Sequence, residues 1–66
     1  MDVLKLKGRM VERGMNVERL AEKVSIDRAT LYRKLNKSEN ITVGEAQRIK
    51  DALELTREEA SVIFFE

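Results

Sequence analysis

The residues of this 66-residue chain that carry chemistry are its arginines and lysines, and they are unevenly placed. Residues 28–37 hold Arg28, Arg33, Lys34 and Lys37 and no acidic side chain. Residues 1–40 contain ten basic and six acidic residues, whereas residues 41–66 contain three basic and six acidic. The net charge of +1 therefore conceals a basic first part and an acidic second part. Such asymmetry implies one face that meets a polyanion rather than a uniformly basic surface.

Other chemistries lack their reagents. There is no His and no Cys, which removes the common general base, the thiol nucleophile, disulfides and the usual zinc ligand sets. The 12 carboxylates are scattered at helical spacing, mostly with a Lys or Arg nearby, and show no calcium-loop pattern. Gly8, Gly14 and Gly44 are isolated, so no glycine-rich phosphate loop is present. Neither catalysis nor a cofactor, a metal or a small-molecule ligand is expected. No apolar run approaches the roughly 18 residues of a membrane span, and no signal-peptide pattern is present. The expectation is a soluble, cytoplasmic protein with no membrane partner.

Positioning these cations falls to helices. Proline is absent, and charged residues, mostly the helix-tolerant Lys, Arg and Glu, make up 38% of the chain. A first helix is expected over residues 2–13, with Val3, Leu6 and Met10 facing the core, Leu4 and Val11 flanking them, and Gly14 ending it. Asn16 caps a second, short helix whose apolar face is Val17, Leu20, Ala21 and Val24. Ser25-Ile26 interrupts the pattern. Asp27 caps a third helix over residues 28–36, where Leu31 and Leu35 share one face and turn the basic residues outward. After a polar loop at 37–40, Thr42 and Glu45 form a capping box that opens a fourth helix over 42–54, with Ala46, Ile49 and Leu53 inward. Thr56 and Glu59 form a second box, opening a last helix that contains Ala60, Ile63 and Phe64. The reading is one all-α domain of five helices over residues 1–66.

Two short helices with a tight turn are common, so the identity of the residues at each position matters. A small Ala21 stands where two such helices cross, and Leu20, Val24, Ile26 and Leu31 fall where burial holds them near 90–120°. The run Leu20-Ala21-Glu22-Lys23-Val24-Ser25-Ile26-Asp27-Arg28-Ala29-Thr30-Leu31-Tyr32-Arg33-Lys34-Leu35-Asn36 resembles the helix-turn-helix of the phage Cro and repressor (XRE) family. The resemblance extends to the Met15-Asn16 entry, the Leu53-Glu54-Leu55-Thr56 link and the Ile63-Phe64-Phe65 ending of short prophage regulators. It implies a five-helix, lambda-repressor-like fold and a small Cro-like transcriptional regulator, a repressor more than an activator, acting on double-stranded operator DNA. The family's base-reading positions correspond to Arg28, Ala29 and Arg33. Asp27 is either a helix cap or an acceptor for a cytosine amino group. Tyr32 either touches DNA or packs on the start of the fourth helix. Thr30, Lys34, Lys37, Ser38 and Asn40 are candidate backbone contacts, as are Asn16 with its helix N-terminus and Arg9. Two positions depart from the family pattern: Val17 stands where a phosphate-binding glutamine is frequent, and Ser25 where glycine makes the turn.

A protein-interaction module of the same fold, antirepressor- or antitoxin-like, is the alternative. It would show apolar anchors on the third helix, where Arg28, Arg33 and Lys34 stand instead. Family members usually dimerise on near-palindromic sites with recognition helices about 34 Å apart. Phe64 and Phe65 are adjacent and cannot both face one core. One is expected to plug the bundle and the other to make a symmetric dimer contact; the alternative is that both pack loosely on the monomer or fray at the C-terminus.

Overall fold

The computed structural model describes residues 1–36 and 41–65, and these form five helices: α1 (Val3–Glu12), α2 (Val17–Val24), α3 (Arg28–Asn36), α4 (Val43–Ala52) and α5 (Arg57–Phe64). Each start is a side-chain cap, because the first turn of a helix leaves backbone N–H groups without partners. The Asp2 carboxylate accepts from the Lys5 N–H at 3.1 Å and Asn16 from the Arg19 N–H at 2.8 Å. The Asp27 carboxylate accepts from the Thr30 N–H at 3.2 Å. Both expected capping boxes are closed, Thr42 with Glu45 and Thr56 with Glu59.

Three helix ends share one device. Gly14, Ser25 and Glu54 adopt left-handed φ values of 67°, 57° and 53°. The next residue in each case, Met15, Ile26 or Leu55, donates its N–H five residues back, to the carbonyls of Met10, Ala21 and Lys50. Each of these residues also packs against the core. The chain thus reverses while an apolar side chain is driven inward. Gly14 is the residue expected for this; Ser25 takes the strained conformation that its place in the turn implied; Glu54 was not foreseen.

The core is continuous across all five helices. Leu6, Leu20, Leu31, Ile49 and Leu53 are fully excluded from water, with Met10, Ala21, Val24, Leu35, Leu55 and Ile63 beside them. Among the described residues no polar or charged side chain is buried. Val3 and Ile26, expected inside, are only half-buried. Leu4 and Val11 lie outside altogether, 82% and 77% exposed. An N–H···O bond of 2.7 Å from Asp2 to the Ile63 carbonyl ties the start of α1 to the end of α5.

Candidate nucleic-acid interface

Leu31 and Leu35 are buried to 1% or less and pin one side of α3 to the bundle. A helix turns about 100° per residue, so Arg28, Tyr32, Asn36, Ala29 and Arg33 fall in one sector of about 140° beside that stripe, while Thr30 and Lys34 fall on its other flank. Arg28, Ala29, Tyr32, Arg33 and Asn36 are all exposed there, forming one continuous face. Asn36 was missed from the sequence, although it lies four residues beyond Tyr32 on the same face. Tyr32 is 50% exposed and so projects from the bundle. Thr30 is half-buried at the face's edge.

α2 supports this face from behind. Ala21 is 4% exposed, and the three residues Ser25, Ile26 and Asp27 connect α2 to α3. The Ser25 and Ile26 N–H groups return to the Glu22 and Ala21 carbonyls, which fixes where α3 starts. Arg28, its first residue, meets Glu18 of α2 at 3.4 Å, with both side chains 63% exposed. Glu18 was not singled out from the sequence. Its signal is an acid in the first turn of α2, where the helix dipole favours it.

The remaining cations are placed differently. Lys34 Nζ donates to both Glu45 oxygens at 2.7 and 2.9 Å and is only 15% exposed. Glu45 is held below the usual carboxylate range, first by that lysine and then by the Thr42 N–H. Arg9 lines an open groove of about 360 Å³ between α1 and α5. There it donates to Glu12 at 2.7 Å and meets Glu59 at 3.1 Å. Lys34 and Arg9, both candidate backbone contacts from the sequence, each bridge their own helix to another. Glu59 is lowered as well, chiefly by the Thr56 N–H. Asn16 presents the N-terminus of α2, its side chain engaged by the Arg19 N–H. Lys37, Ser38 and Asn40 lie outside the described residues. Among the described residues no group of three or more His, Cys, Asp or Glu could hold a metal ion, and no helix is long and apolar enough to cross a membrane.

Two short helices joined by a three-residue turn, the second offering an exposed face with two arginines, define a helix-turn-helix domain. The chain belongs to the Cro/C1-type HTH DNA-binding domain family, whose model matches residues 5–63. No curated protein and no solved structure matches it. It is a DNA-binding domain, and its partner class is double-stranded DNA.

Proposed function

We propose that this chain is a phage-type transcriptional regulator that reads operator DNA in the major groove with α3 and represses by occupying its site. The observation that carries the reading is the exposed face of α3, Arg28, Ala29, Tyr32, Arg33 and Asn36, in a chain that belongs to a DNA-binding family. In this geometry the start of α3 enters the groove and α2 crosses the backbone. Arg28 and Arg33 then bond guanine O6 and N7, each bidentate contact being worth about 1–3 kcal/mol of discrimination. Ala29 meets a thymine methyl. One oxygen of Asp27 caps α3, and the other accepts from a cytosine amino group. Tyr32, Thr30, the N-terminus of α2 at Asn16, and Lys37, Ser38 and Asn40 contact the backbone.

A protein-binding module of the same fold would need apolar anchors on α3, and Tyr32 is the one large apolar-bodied residue exposed there. The site of action is the cytoplasm, and residues 1–66 work as one domain. Phe64 packs on the core while Phe65 is 68% exposed, their rings 6.4 Å apart edge-on. Phe65 is therefore the side chain offered to a second copy on a near-palindromic site. The longest dimension of one molecule, 27 Å, is compatible with two recognition helices about 34 Å apart.

The test is selection of a preferred duplex from a random library, followed by titration against salt. A preferred near-palindrome bound with steep salt dependence supports the reading. Salt-independent binding, or none, leaves the protein-interaction module ahead.

A further inference from the structure

Lys34 differs from Arg28, the first cation on α3. Its ammonium lies 2.7 and 2.9 Å from the two oxygens of Glu45, with 15% and 13% of the two side chains exposed. The Arg28–Glu18 pair, by contrast, is 63% exposed on both sides. Glu45 has a second task. Its Oε1 accepts the Thr42 N–H at 2.9 Å, while Thr42 Oγ1 accepts the Glu45 N–H at 3.1 Å. One carboxylate thus caps α4 and grips α3 across eleven positions of chain.

We propose that Lys34 is a positioning residue for DNA reading: clamped to Glu45, it fixes the roll of α3 against α4 and so the direction in which Arg33 points. Leu31 and Leu35 anchor a single buried stripe, and the Ser25-Ile26 turn and the Asp27 cap hold only the N-terminal end of α3. Lys34 sits on the flank of the stripe, where a fixed contact to a second helix resists rolling. Arg33 is its chain neighbour on the exposed side. A bidentate base contact tolerates only about 10–20° of misdirection, so the roll matters to recognition. A partly desolvated pair with both oxygens engaged is costly to break, so a phosphate does not draw Lys34 away as it can an exposed cation. This inference rests on the proposal that α3 reads DNA.

The experiment measures binding of the full chain to its selected duplex and to a scrambled one across a salt series. The proteins are wild type, Lys34→Met, Lys34→Arg, Glu45→Gln, and Lys34→Met combined with Arg33→Ala. The expected result is that Lys34→Met keeps the wild-type salt slope but lowers the selected-over-scrambled ratio by about tenfold, near the low end of one lost bidentate contact. Glu45→Gln matches that loss, Lys34→Arg restores the ratio, and Lys34→Met adds no further loss on the Arg33→Ala background. A salt slope shallower by about 0.9 in Lys34→Met, with the ratio intact and Glu45→Gln binding more tightly, makes Lys34 a phosphate contact and overturns the proposal. If the methionine variant melts, Lys34→Gln, which keeps a donor toward Glu45 but loses the charge, should retain the wild-type ratio and salt slope; a slope shallower by about 0.9 makes Lys34 a phosphate contact and overturns the proposal. A wild type without salt-dependent binding overturns the DNA reading and this inference together; a wild type that binds while Lys34→Met changes only the slope overturns this inference alone.

Discussion

Arg28 meets Glu18 at 3.4 Å in open solvent, whereas Lys34 is held by Glu45 out of most of it. Exposed pairs are worth about 0.2–1 kcal/mol and are screened by salt, so DNA can take Arg28 from Glu18 at small cost. Glu18→Gln should therefore tighten binding to scrambled duplex by about 1.5- to 5-fold, read as a change in Kd at low salt. Unchanged or weaker binding would show that Glu18 does not compete with DNA for Arg28. Arg33→Ala should cost about 1–3 kcal/mol on the selected duplex and relax preference at a single base pair, measured by competition with single-substitution duplexes. An unaltered preference would remove Arg33 from the reading face. At this scale the sequence was partly legible. The exposure of Arg28, Ala29, Tyr32 and Arg33 follows from the spacing of Leu31 and Leu35. The pairings of Lys34 with Glu45 and of Arg9 with Glu59 do not, because those acids come from other helices whose approach no local pattern encodes.

The helices were the most legible level, since every start is written as a capping residue and every buried stripe as a 3.6-residue period. Helix ends were less so. Gly14 announces its left-handed conformation, but Glu54 adopts the same one because Leu53 and Leu55 on either side of it are both buried. Packing overrides the preference of the residue between them. A left-handed conformation costs an L-residue about 1–2 kcal/mol, of which glycine's greater freedom in the unfolded chain offsets part. Glu54→Gly and Ser25→Gly should each stabilise the domain by about 0.5–1 kcal/mol, seen as a Tm rise of roughly 2–8 °C. A lower Tm for either variant would show that the turn does not hold that strain.

Acid should weaken the α3–α4 junction for a reason of known sign. Glu45 has a lowered pKa, first because Lys34 donates to it. The stability it contributes is present above the ordinary glutamate range and is lost as pH falls through its depressed folded value. Denaturant unfolding followed from neutral to acid pH should lose stability in that window, and Glu45→Gln should flatten the loss. An unchanged acid limb in the variant would mean that other carboxylates govern it.

At the scale of the whole molecule, five short helices around one apolar core leave little stability in reserve, as expected for a chain this small. Leu4 and Val11, which flank the buried stripe of α1, stay exposed because among the described residues no other helix covers that side. Self-association through Phe65 is the corresponding proposal, and sedimentation of wild type and Phe65→Ala, free and on duplex, reads it. A shift from dimer toward monomer is expected in the variant; monomers throughout, including on DNA, would remove the dimer. The most direct measurement for the chain as a whole is the affinity for a selected near-palindromic duplex and its scrambled counterpart as salt is raised. A linear fall of log K with log salt is expected, with a slope of roughly −0.9 for each phosphate neutralised. The selected duplex should be preferred by about a thousandfold or more. Equal affinity for the two duplexes, or binding indifferent to salt, would contradict operator reading by α3.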